Sequence, residues 1–290
     1  MRTEPKMMDS SSTPAPARRA TGLVLASGLI CLGACGASVS PYQGMTADQI
    51  YARAQADLAD EDYGDAADAL DHLLLSTPDF PQADEATLLL ADSYYNDEKY
   101  ITAAAQYARF VQRYPRHPET ARASLQNCLS YAAIAPIAQR DQGPTRQALG
   151  ACRNVAANFF GTPEADSAAA VAGTMIDRLA EAQFQASEHY FRIGALISAI
   201  LYYEDVVELY PETEYAPKAL MRIIEANEKM EFYEEVELAR EQLITLYPLS
   251  DEAAVIREQM NVGGMAADTA NAGGRGSGRG PEASRSVPSG

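Results

Sequence analysis

The stretch LADSYYNDEKYITAAAQYARFVQRYP, residues 90–115, reads as two helices folded back on each other. The upstream helix carries Leu90, Ala91 and Tyr94, and the downstream one sets Ala103 and Tyr107 one turn apart on one face. Tyr114 closes the second helix, and Pro115 forbids its continuation because it has no N–H to donate. Small residues let the two axes approach while the aromatics fill the space between units, so such a pair cannot bury its apolar face alone.

The pattern recurs along the chain. Prolines at 78, 115, 163, 211 and 248 are read as helix-ending, and three of them stand in like settings: Arg113-Tyr114-Pro115, Leu209-Tyr210-Pro211 and Leu246-Tyr247-Pro248. Twelve places before the proline come Ala66, Ala103 and Ala199, with Val236 in the last copy; Leu70, Tyr107 and Tyr203 follow one turn later. The fold expected is all-α, a solenoid of about five helix pairs over residues 45–260. The wider intervals around Pro163 predict lengthened elements, with AQRDQGPTRQ as a turn. Residues 261–290 are Gly/Ser-rich and are expected to be a disordered tail, because they hold too little apolar surface to bury.

The N-terminus differs in kind. Arg18 and Arg19 precede an apolar stretch from about Gly22 to Leu32, which runs into Leu32-Gly33-Ala34-Cys35. The stretch is shorter than the roughly 20 apolar residues a membrane-spanning helix needs. It reads as a signal peptide over 1–34 with a lipobox, so that Cys35 receives the lipid and 35–44 form a tether. The chain carries a formal charge of −17, and residues 36–290 hold 19 Lys+Arg against 38 Asp+Glu. Such a surface repels phosphate backbones and argues against nucleic-acid binding. It also repels anionic lipid, so a membrane address requires the acyl chains.

The segment 90–115 resembles a tetratricopeptide repeat from end to end. The lipobox followed by five such units resembles the BamD family of lipoproteins, which belong to the β-barrel assembly machinery of the Gram-negative outer membrane. DYGDAADALDHLLLSTPDFPQADEA, FVQRYPRHPET, the Arg140-Asp141 turn and HYFRIGALISAILYYEDVVELYP carry that likeness in order. Cys128-Leu129 stands where the family usually has Gly-Leu. The resemblance implies a non-enzymatic scaffold. It would dock on the periplasmic domains of BamA, receive unfolded outer-membrane β-barrel precursors for insertion and sit beside other Bam lipoproteins. Gly36, where an inner-membrane retention signal would have Asp, implies the periplasmic face of the outer membrane.

With tetratricopeptide geometry, the first helices of units one to three line a concave groove for an extended peptide. Tyr51, Gln55, Leu88, Asp92, Tyr95, Asn96, Arg122, Leu125 and Leu129 are its candidate residues. Charge changes sign along the chain: residues 45–108 hold 14 acids and two bases, whereas 109–153 hold seven Arg against Glu119 and Asp141. Arg109, Arg113, Arg116 and Arg122 either complement a helix dipole or receive a carboxylate, for which Arg is suited. Residues 154–260 hold 20 acids against seven bases, and the resemblance places the BamA contact there.

Cys128 and Cys152 remain once Cys31 leaves with the signal and Cys35 is lipidated. A fold-back near Asp141 sets them nearly level, so they form a disulfide if their side chains meet; otherwise they are two small residues buried at helix contacts. His72, His117 and His189 are far apart and have no partner at metal-ligand spacing, and no catalytic constellation appears, so neither a metal, a cofactor nor an enzymatic activity is expected. The rival reading is a periplasmic tetratricopeptide scaffold coordinating cell-wall synthesis with envelope constriction, which a preceding coiled-coil segment would favour. A peptidoglycan-cleaving enzyme would need a separate domain bearing paired acids.

Overall fold

The computed structural model describes residues 41–261. The chain divides into two units, Met1–Gln43 and Gly44–Gly290. The expected signal peptide, Cys35 with most of its tether, and the tail from residue 262 lie outside the described residues.

The described part of the second unit is built of helix pairs: α1 (Ala47–Ala59) with α2 (Tyr63–Ser76), α3 (Ala83–Asn96) with α4 (Tyr100–Arg113), α5 (Thr120–Ala133) with α6 (Gly143–Asn158), α7 (Pro163–Arg192) with α8 (Leu196–Leu209), and α9 (Tyr215–Lys229) with α10 (Tyr233–Leu246). A further helix, α11, covers 251–261. Each helix packs on the next in sequence, and α7 also reaches α5 and α9. The five expected pairs are therefore present, with α11 as a cap whose Ala253 and Ile256 close the core of α8–α10. No helix of the described residues is long and apolar enough to cross a membrane.

Two kinds of turn repeat. Within pairs one, two, four and five, the chain reverses through one left-handed residue, Glu61 (φ 64°), Glu98 (φ 57°), Gly194 (φ 79°) or Glu231 (φ 61°). The N–H of the next residue then donates back into the closing helix, as in Lys99 N to Tyr94 O at 2.9 Å and Phe232 N to Asn227 O at 3.0 Å. A Cβ in this conformation is costly, and three of the four positions hold Glu. Glu98→Gly is therefore expected to raise the unfolding free energy by about 0.5–1 kcal/mol, the relief of Cβ strain exceeding glycine's extra chain entropy. Urea denaturation measures it, and a lowered midpoint would contradict it.

Between pairs, the closing residue accepts from the N–H three places on: Phe80 to Thr77, His117 to Tyr114, Thr162 to Phe159, Thr213 to Tyr210 and Ser250 to Tyr247. This corrects the role of Pro163. It ends no helix; it is the first residue of α7, with Thr162 as N-cap, and α6 closes at Phe159. A proline at a helix start loses nothing, because its missing N–H would have had no partner there. The wide spacing has two sources: the segment 134–142 replaces the tight turn in pair three, and α7 runs for 30 residues. Its first half packs in one core with Cys128 and Leu149, and its second half, through Phe184 and Tyr190, meets the core of α8–α10.

Candidate functional site

In the register set by the turns, the position eight residues before Pro78, Pro115, Phe160, Pro211 and Pro248 holds Leu70, Tyr107, Cys152, Tyr203 and Arg240. In the middle three pairs this buried position ties the second helix to the first. Tyr107 OH donates to Asp92 Oδ1 at 2.5 Å, and Tyr203 OH to Glu188 Oε1 at 2.6 Å. Between them, Cys152 is joined to Cys128 by a disulfide. All four tyrosine and cysteine side chains are wholly buried.

The two carboxylates also reach the next pair. Arg122 Nη1 and Nη2 donate to the two oxygens of Asp92 at 3.2 Å each, and its Nε to Glu119 at 2.6 Å. Arg222 repeats the arrangement, with Nε on Glu188 at 2.7 Å and Nη1 on Glu225 at 2.7 Å. Each acid therefore joins three helices: α3, α4 and α5 in one case, α7, α8 and α9 in the other. Pair five carries a variant in which Arg240 takes Glu228 at 2.7 Å and Glu237 at 2.8 Å.

Burial, followed by the adjacent carboxylate, drives the Tyr107 and Tyr203 phenols far above the ordinary 10.0. A folded-state value above the unfolded one favours the protonated form. Their contribution is thus complete below the unfolded value and is lost as pH rises past about 10. Stability is expected to fall more steeply above that pH in the wild type than in Tyr107→Phe/Tyr203→Phe. Equal slopes in urea titrations across that range would contradict this.

These ties reorder the candidate groove. Leu88 is a correction: at 6% exposure it packs with Ala91, Ala103, Tyr107 and Phe110 rather than facing a ligand. Asp92 and Arg122 are engaged with each other. Leu125 and Leu129 are half-buried, Leu125 against the core around the disulfide. Tyr51 packs its ring on Phe80 at 5.3 Å, and burial followed by Glu85 pushes its phenol up to about 12. Tyr95 sets its ring edge-on to Tyr100 at 5.4 Å, while Gln55 and Asn96 are exposed.

The four arginines do not form one patch. Arg122 turns to α3, and Arg113 lies 5.6 Å over the Tyr114 ring. Arg116 is exposed in the turn after α4. Arg109 faces the other way, into a groove between α4 and α6 of about 540 Å³ that Gln112, Asn127, Asn154, Asn158 and Phe159 also line. Sequence reasoning missed this groove. The amides at 154 and 158, one turn apart on α6, were its only signal.

The sequence model of the outer membrane lipoprotein family YfiO matches residues 43–243. The chain belongs to the YfiO family. That match takes in every candidate groove residue, all four arginines and both tyrosine ties, whereas Cys35 falls before it. Relatives include three outer membrane protein assembly factors BamD. That of Caulobacter vibrioides is 26% identical over 204 residues, 70% of this chain and 67% of that one. That of Vibrio cholerae is 25% identical over 236 residues, 77% of this chain and 98% of that one. That of Neisseria meningitidis is 25% identical over 199 residues, 65% of this chain and 74% of that one. Among solved structures, the tetratricopeptide domain of P58(IPK) matches with a TM-score of 0.39 and 16% identity over 73% of this chain, and the chain spans 54% of that one. The cell-wall reading draws no support from these YfiO relatives.

Proposed function

We propose that the chain is a non-enzymatic lipoprotein scaffold of the β-barrel assembly machinery, held by acyl chains on Cys35 at the periplasmic face of the outer membrane. It docks on the periplasmic domains of BamA through its last pairs and receives unfolded outer-membrane β-barrel precursors at its first three; other Bam lipoproteins are further neighbours. One observation carries the reading: the YfiO match spans the helix-pair stack from 43 to 243, and relatives aligned over most of their own length are BamD assembly factors. Tagged chain purified from outer membranes should bring with it an integral barrel protein bearing periplasmic domains. Recovery without such a protein would overturn the proposal.

For the precursor, Tyr51, Gln55, Tyr95, Asn96 and Leu129 offer the accessible part of the groove. The carboxylate at a precursor's C-terminus falls to Arg113 and Arg116, because Arg122 is already neutralised by Asp92 and Glu119 and Arg109 turns into the α4–α6 groove. A peptide ending in a barrel C-terminal sequence should bind Arg113→Ala and Arg116→Ala each about threefold more weakly at low salt, as expected of exposed charge pairs. Amidating the peptide should abolish the difference. If Arg122→Ala alone weakens binding, the assignment among the four is wrong.

A further inference from the structure

Pair five repeats the groove of pair three with the opposite polarity. Asn127 stands five residues after Arg122, and Asn227 five after Arg222. Each lines a groove between two second helices: α4 and α6 for Asn127, α8 and α10 for Asn227. In the first groove, Asn127 Nδ2 donates to Ala104 O at 2.7 Å, and no carboxylate contributes to the lining. The second has a volume of about 640 Å³ and carries Glu204, Glu208 and Glu235 on its walls. None of these three acids has an ion-pair or hydrogen-bond partner among the described residues, although Glu237 of α10 does.

Asn227 lies in this groove at 4% exposure, and its carboxamide makes no hydrogen bond among the described residues. That amide opens onto the groove rather than being sealed in the core, so a hydrogen-bonding group that enters the groove can pair with it. The walls are otherwise apolar. On α10, Glu235, Leu238, Gln242 and Leu246 fall on one face at helical spacing, and Leu238 and Leu246 are 61% and 55% exposed. On α8, Ile200, Glu204, Val207 and Glu208 line the facing wall, the two acids exposed and the two apolar side chains half-buried. Two parallel walls with apolar residues and unpaired acids, above a polar point on the floor, are complementary to one kind of object.

We propose that the α8–α10 groove docks an amphipathic helix of a partner protein. That helix buries an apolar row at i, i+4 and i+7 between Leu238, Leu246 and Ile200. Its flanking Lys or Arg residues meet Glu204, Glu208 and Glu235, and a polar group on its apolar face bonds Asn227. The surface stands on this geometry whether or not the partner is BamA.

The test measures binding of a fluorescein-labelled amphipathic helical peptide of Leu, Ala and Lys to the full chain, alongside a twin in which every Lys is Glu. The Lys peptide should bind at least tenfold more tightly than its twin, and added salt should weaken it. In Glu204→Lys/Glu208→Lys/Glu235→Lys, whose changed side chains are exposed, the preference should reverse. Asn227→Leu should raise the melting temperature and yet weaken a peptide bearing Gln at the centre of its apolar row, a combination a purely structural asparagine would not give. Equal binding of the twins to the wild type would overturn the proposal. Tenfold tighter binding after Arg275→Ser/Arg279→Ser/Arg285→Ser would overturn it in favour of the chain's own C-terminal segment as occupant. A wild-type dimer in sedimentation that the charge-reversed variant lacks would overturn it in favour of a second copy.

Discussion

Replacing Cys128 and Cys152 together by alanine is expected to lower the unfolding free energy by about 3–4 kcal/mol, the amount by which a cross-link closing a loop of this size restricts the unfolded chain. The bridge spans a sequence separation of 24 and encloses the segment 134–142, the longest connection between helices among the described residues. In pairs two and four, a tight turn and a tyrosine–carboxylate hydrogen bond hold the two helices in place. Pair three has neither, so the cross-link is the tie left at that height. Both sulfurs are buried with Ala148, Val155 and Ala168, so loss of packing adds to the effect. Urea denaturation of the oxidised wild type against the alanine variant measures it. Equal midpoints would show that α5 and α6 are held by packing alone, and two reactive thiols in denatured, unreduced protein would refute the bridge.

The second large effect is expected at Asp92. Asp92→Ala removes the acceptor of the wholly buried Tyr107 hydroxyl and one partner of Arg122, and should cost about 2–3 kcal/mol. Most of that belongs to the tyrosine. Its hydroxyl cannot reach water, whereas the Arg122 and Asp92 side chains keep 37% and 24% of their exposure, and water screens their attraction. Tyr107→Phe should therefore cost less than Asp92→Ala, because it leaves no orphaned hydroxyl, and Arg122→Ala should cost least, at about 0.5–1 kcal/mol. The same order should hold for Glu188, Tyr203 and Arg222. An Arg122→Ala loss as large as that of Asp92→Ala would mean that the ion pair between neighbouring pairs, not the buried hydrogen bond within one, is the stronger tie.

The helix pairs were legible because their signals are local. Tyr-Pro closures and Ala–Tyr spacing lie within a few residues of each other, and the backbone reads them the same way each time. Pro163 was misread because a proline that stops a helix and one that starts it look alike in a spacing argument. The sign was in its neighbours: Thr162 before it caps α7, and Glu164 and Asp166 after it suit a helix N-terminus. The lengthening itself was legible in the wider intervals around Pro163, and α7 with its 30 residues bears it out. The site was less legible because its partners are remote in sequence. Seven arginines in 109–153 show a change of charge, but nothing local says that Arg122 is neutralised by Asp92. Leu88 was placed in the groove by helix periodicity, which shares out faces but does not say which face a third helix covers. One longer-range sign was present: an acid 15 residues before a tyrosine occurs at Asp92–Tyr107 and again at Glu188–Tyr203, with an arginine in the following first helix.

If the stack serves outer-membrane barrel assembly, depleting the chain from its native cell should reduce folded, heat-modifiable barrel proteins in the outer membrane while their unfolded precursors accumulate in the periplasm, and the full-length chain with Cys35 intact should restore them. Unchanged levels of folded barrel proteins, with cells that fail instead to complete constriction, would contradict the assembly role and return the chain to the cell-wall reading.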